Sequence, residues 1–125
     1  MKHWNLVICL MGLATCAASA PAAVLQVGPT RAYTTVQAAY SACSSGDTIE
    51  IDSGYYYQWQ GWVNVTGKSN VTFRGVGTTR PVLDGGGSLL ISKGIFVIAT
   101  DASNITIENL EIENTRFYLD PPGSN

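Results

Sequence analysis

Two groups of side chains carry the chemistry this chain can offer. Glu111 and Glu113 stand two residues apart in the alternating stretch Leu110-Glu111-Ile112-Glu113. In a strand both carboxylates project from one face, about 7 Å apart, with Arg116 close behind in sequence. Paired carboxylates suit proton transfer or the holding of a cation, and the same spacing also describes a solvated outer strand face. The second group is aromatic: Tyr55, Tyr56, Tyr57, Trp59 and Trp62. Flat rings stack on sugar rings and give large contact area at low entropic cost. Packing of this loop onto its own core is the other reading.

The first stretch narrows the chemistry further. Lys2 and His3 open a short positive segment, residues 6–14 are apolar but too few to span a bilayer, and small residues follow through Ala20, Ala22 and Ala23. This pattern predicts a secretory signal peptide over residues 1–22, with Ala20 and Ala22 in the cleavage positions. Leu13-Ala14-Thr15-Cys16 also resembles a bacterial lipobox, so lipid anchoring through Cys16 is the rival, and a buried amino-terminal helix is a third reading. Removal of the leader takes the only histidine, His3, and leaves Cys43 as the only cysteine. An intrachain disulfide, a Cys/His zinc site and a His-activated nucleophile are then excluded. Six basic residues remain against nine acidic ones. With no basic stripe, nucleic acid is not an expected partner.

The elements that must position these groups are short strands. Thr34 with Gln37 forms a candidate capping box for one helix, with Tyr33 as staple. Val36, Ala39, Tyr40 and Cys43 form its apolar face, and Gly46 suits its left-handed end. Cys43 on that face reads as a packed side chain. Alternation predicts strands at Val24 to Val27, Thr48 to Ile51, Trp62 to Val65, Asn70 to Phe73, Pro81 to Asp84, Ile95 to Ile98, and two more separated by a bend at Asn109. Ile49 and Val71, like Ile51 and Phe73, are 22 apart, and Val63 and Val82 are 19 apart. Such periods predict a solenoid; a β-sandwich is the alternative.

Asn64, Asn70 and Asn104 each begin an Asn-x-Thr sequon. Asn70 and Asn104, 34 apart in equivalent motifs, suit a ladder of stacked asparagines, with an extra loop near Gly85-Gly86-Gly87 accounting for the longer spacing. Asp84 before three glycines reads as a turn residue, and Asp47 as a cap or turn group.

Tyr33-Thr34-Thr35-Val36-Gln37-Ala38-Ala39, Ser45-Gly46-Asp47-Thr48-Ile49-Glu50-Ile51 and Gly54-Tyr55-Tyr56 resemble the amino-terminal cap and first coil of the pectate-lyase-like (pectin-lyase fold) family. Asn70-Val71-Thr72-Phe73-Arg74-Gly75, Val82-Leu83-Asp84-Gly85 and Asn104-Ile105-Thr106-Ile107-Glu108-Asn109 resemble its coils. The resemblance implies an all-β, right-handed parallel β-helix with an amino-terminal capping α-helix and about three coils over residues 24–116. Residues 117–125 then form an incomplete segment or tail, and an apparently truncated stack needs further coils or a partner chain at its open carboxyl end. The family pattern places a buried aromatic after Gly54, so Tyr55 or Tyr56 takes that place, and Tyr57, Trp59 and Trp62 remain as candidate ligand contacts.

Family lyases imply Ca²⁺ on outer-face carboxylates with a basic residue as base. Glu111 and Glu113 are the candidate metal residues, although no cofactor is evident from the residues themselves. Polygalacturonase-like members imply paired Asp residues instead, and neither motif is matched here. The resemblance therefore implies a secreted protein whose parent binds or degrades extracellular polysaccharide, as a lyase or glycoside hydrolase, with this piece alone inactive. A non-catalytic extracellular module for surface attachment or sugar binding is the alternative. No membrane span is expected.

Overall fold

The computed structural model describes residues 20–87 and 94–115. Most of the leader, with His3, Cys9 and Cys16, lies outside the described residues, as do Arg116 and the expected tail. The chain is all-β apart from a single α-helix among the described residues, and every strand pairing there is parallel. β1 (Val24–Val27) precedes α1 (Val36–Ala42). β2 (Thr48–Asp52), β3 (Tyr55–Tyr57) and β4 (Val63–Val65) follow, then β5 (Thr72–Val76), β6 (Val82–Asp84) and β7 (Phe96–Ile98), then β8 (Thr106–Glu108) and β9 (Glu111–Glu113). Sheet A has the order β1-β2-β5-β8, sheet B β3-β6-β9 and sheet C β4-β7. From β2 onward the chain thus visits A, B and C in turn and returns to A. No hairpin joins any two of these strands, which sets aside the sandwich.

The register is the first correction. Ile49 pairs with Phe73, not Val71, and Thr48 with Thr72, a step of 24 rather than 22. Val82 pairs with Tyr55 in sheet B, and Val63 pairs with Phe96 in sheet C, so the 19-residue step from Val63 to Val82 joins nothing. Both 22 and 24 are even, so both keep apolar residues on one face, and alternation alone cannot separate them. The step of 34 is right: Thr72 pairs with Thr106. Most of the added length falls between β6 and β7, where the expected loop begins at Gly85.

The inward rows stack into one core. Ile49, Ile51, Phe73, Val63, Val65 and Leu83 have no exposed surface. Phe73 stacks on Tyr40 at 5.9 Å and meets Phe96 edge-on at 5.1 Å. Burial of each large apolar side chain contributes about 1.5–3 kcal/mol. Tyr56 lies with this core at 4% exposure, as the aromatic expected after Gly54. It belongs to β3, a strand that three consecutive tyrosines hide from an alternation pattern.

The helix starts one residue later than expected. Thr35, not Thr34, is the N-cap, and its Oγ1 accepts the Ala38 N–H at 3.2 Å. Gln37 therefore leaves the capping box. Its Oε1 instead accepts the backbone N–H of Asn64 at 2.8 Å, so α1 covers a donor on the free edge of β4. The predicted apolar face holds: Val36, Ala39, Tyr40 and Cys43 are all buried.

Gly46 has φ +94° but does not end the helix, whose C-cap is Cys43. It sits 24 residues before Asn70, which sits 34 before Asn104, and these asparagines have φ +58° and +52°. The three form one column of left-handed corners, where Gly and Asn are the least strained residues. Asn104 Nδ2 donates to Asn70 Oδ1 at 3.1 Å, and the Ser69 and Ser103 hydroxyls meet at 2.8 Å beside them. Asn109, also left-handed, makes the bend between β8 and β9 and donates from Nδ2 to the Gly75 carbonyl at 2.6 Å.

Candidate functional site

Alternation turns the candidate groups outward on two separate faces. On β3, Tyr56 points in, so Tyr55 and Tyr57 point out. Their rings stack with centroids 6.5 Å apart, and they keep 57% and 48% of their surface exposed. The register continues both outward columns down sheet B: Tyr55, Val82 and Glu111 in one, Tyr57, Asp84 and Glu113 in the other. Adjacent strands lie about 4.8 Å apart. Tyr57 and Glu113, singled out separately from sequence, thus share one face: a tyrosine ledge above a carboxylate row.

Asp84 is buried beneath that ledge. Its Oδ1 accepts the Gly86 N–H at 2.7 Å, the expected turn contact, and its Oδ2 accepts the Tyr55 hydroxyl. The Tyr55 contact is absent from any local reading, because it joins residues 29 apart. Asp47 is likewise a structural carboxylate. It accepts N–H donors from Ser44 at 2.7 Å and from Ala23 at 2.8 Å, tying the helix end to β1. Glu111 is exposed and Glu113 half-buried. Among the described residues no group of three or more His, Cys, Asp or Glu is placed to hold a metal ion. Ca²⁺ takes six to eight oxygens, in round numbers, and Glu111 with Glu113 does not form such a cage.

The tryptophans lie elsewhere. Trp59 belongs to a 3₁₀ turn, Gln58–Gln60, and is 52% exposed. Its ring meets Trp62 edge-on at 5.4 Å. Trp62 packs partly on the core, as the packing alternative proposed, and also borders an open cleft of about 320 Å³. The cleft lies between α1 and the outer face of β4. Trp62, Asn64 and Thr66 line it from one side, Gln37, Tyr40 and Ser41 from the helix, and Lys68 closes it. Sequence reasoning missed this cleft because its walls lie far apart in the chain.

Lys68 is a structural cation. Its Nζ donates to the carbonyls of Tyr40 at 2.5 Å and Ser41 at 3.3 Å, at the negative end of α1, and approaches Cys43 Sγ at 3.8 Å. It also lies 4.6 Å from the centre of the Tyr40 ring. Burial pushes the Cys43 thiol up despite that cation, and burial likewise raises the Tyr40 phenol. A raised thiol is a poor nucleophile, which matches the packed role expected for Cys43. On the outside of sheet A, the hydrogen bond and charge of Asp52 raise Arg31, and those of Glu108 raise Arg74. These are exposed pairs at 2.6 Å and 2.5 Å, of the kind that adds little to stability.

No helix of the described residues is long and apolar enough to cross a membrane. Comparison with family models, with curated proteins and with solved structures returns no match to this chain.

Proposed function

We propose that this chain is part of a secreted, pectate-lyase-like right-handed β-helix protein that binds extracellular polysaccharide. The cyclic order of three parallel sheets supports the solenoid reading, and parallel crossovers are right-handed in nearly all proteins. The observation that carries the binding reading is the stacked, half-exposed Tyr55–Tyr57 ledge on the outer face of sheet B. The two rings are nearly parallel, 17° apart, and keep aromatic surface exposed on which sugar rings can stack, while the strand beneath holds them in place. Glu111 and Glu113 are available at the far edge of that face as hydrogen-bond acceptors for hydroxyls.

Binding is favoured here over catalysis by one specific observation. Asp84, the carboxylate closest to the tyrosines, is engaged by Tyr55 and Gly86 rather than directed at solvent. A lyase or hydrolase activity of a longer parent would draw on groups beyond these residues. Affinity electrophoresis of the secreted chain through gels containing polygalacturonate or a neutral β-glucan tests the reading. Retardation in at least one gel is expected, weakened in Tyr55→Ala/Tyr57→Ala. Unretarded migration in every gel would overturn it.

A further inference from the structure

We infer that the cleft between α1 and β4 is a second saccharide subsite, one that takes an uncharged pyranose ring. This deepens the polysaccharide reading and rests on it. The inference starts from strand alternation. On β4 and the residues flanking it, Val63 and Val65 point into the core, so Trp62, Asn64 and Thr66 fall on the outer side, and all three line the cleft. One strand thus presents an indole, an amide and a hydroxyl in a row. A sugar ring offers the complementary set: an apolar C–H face to stack on the indole, and hydroxyls at its edge for the polar pair.

The polar pair is unspent. Of the three sequon asparagines, Asn70 and Asn104 bind each other in the corner column. Among the described residues Asn64 is committed through its backbone N–H, held by Gln37. Among the described residues its amide side chain and the Thr66 hydroxyl make no hydrogen bond. Both are donor and acceptor at once, as hydroxyl recognition requires.

The charge of the ligand follows from Lys68. An ammonium has three N–H donors, and Lys68 has three neighbours for them: Tyr40 O, Ser41 O and Cys43 Sγ. No N–H is left over for a carboxylate. Asp101, close to Gly67 beside the cleft, adds a negative charge nearby. Among the described residues lining the cleft, a uronate would meet that charge with no free cation to answer it, whereas a neutral hexose carries no charge to be answered.

Isothermal titration of the full chain with cellohexaose, a neutral flat probe, and with hexagalacturonate tests this. Saturable cellohexaose binding is expected, weakened about tenfold or more in Trp62→Ala and several-fold in Asn64→Ala and Thr66→Val. The last two variants keep the core and the Gln37 contact, and circular dichroism checks that all three fold. Hexagalacturonate binding should be insensitive to these three changes. Cellohexaose binding that survives all three substitutions but falls in Tyr55→Ala/Tyr57→Ala overturns the cleft and leaves the ledge standing. Hexagalacturonate binding that depends on Trp62 and Asn64 also overturns it. Failure of the chain to bind either probe overturns the cleft proposal, and if the gels also show no retardation the ledge falls with it.

Discussion

Ile49 and Ile107 occupy the same inward column of sheet A, on either side of Phe73, yet Ile49 is fully buried and Ile107 keeps 38% of its surface exposed. The other two sheets repeat the contrast. Leu83 is fully buried and its partner Ile112 is 44% exposed; Val65 is fully buried and its partner Ile98 is 50% exposed. Direction and burial are therefore separate properties in this architecture. Alternation decides which way a side chain points, and only a neighbouring rung on each side removes it from water. Near the start, β1 and α1 supply that cover, and Gln37 also caps the strand edge.

The sharpest way to break this comparison is to truncate within one column. Phe73→Ala should cost about 3–5 kcal/mol and Ile107→Ala about 1 kcal/mol, read as the shift in urea unfolding. Equal costs would mean that the two rungs are packed alike. A smaller effect separates two glycines. A Cβ at Gly75 would collide with the Asn109 carbonyl oxygen of the next rung, while one at Gly46 meets nothing within 4 Å. Gly75→Ala should therefore cost about 1–3 kcal/mol through overpacking between rungs. Gly46→Ala should cost about 1 kcal/mol through its left-handed φ alone. The corner column comes next. Asn70→Ala loses both the ladder bond and the tolerance for positive φ, for about 1–2 kcal/mol.

The smallest effect is alkaline. Burial raises the pKa of Cys43, Tyr40 and Tyr56 above ordinary values of 9.0 and 10.0. Groups raised in the fold contribute stability that is fully present below the unfolded pKa and lost as pH rises through the folded one. The urea midpoint should thus be level from pH 6 to 8, to a first approximation, and fall above about pH 9. Tyr56→Phe should flatten part of that slope; an unchanged slope would place the cause elsewhere.

Much of this was legible in the sequence, for physical reasons that can be named. The inward residues of β2, the helix face from Val36 to Cys43 and the Asn70–Asn104 ladder each follow from a local rule of period or corner geometry. The register was not legible, because Ile49 meets an inward partner equally well at a step of 22 or 24. Gly46 looked like a helix end because the column it opens becomes visible only once the 24-residue step is known. β3 was hidden by three tyrosines in succession. At the candidate sites, the outward tyrosines and glutamates could be read singly. Their common face, and the cleft joining Gln37 to Lys68, depend on which strand lies beside which.

The account rests on the parallel stacking of successive strands in one sheet, so one cross-link across that stack tests it most directly. With the native cysteines replaced by serine, Ser69→Cys and Ser103→Cys place two thiols where the hydroxyls now lie 2.8 Å apart on paired residues. Parallel neighbours fall within the Cα separation a disulfide accepts, about 4.4–6.8 Å. Mild oxidation should close an intrachain bridge, seen as a loss of two hydrogens by mass, while the offset control Ser69→Cys with Asp101→Cys closes far more slowly. A control that bridges as fast, or a Ser69–Ser103 pair that stays reduced, would contradict the 34-residue register and the parallel stacking of sheet A that the account rests on.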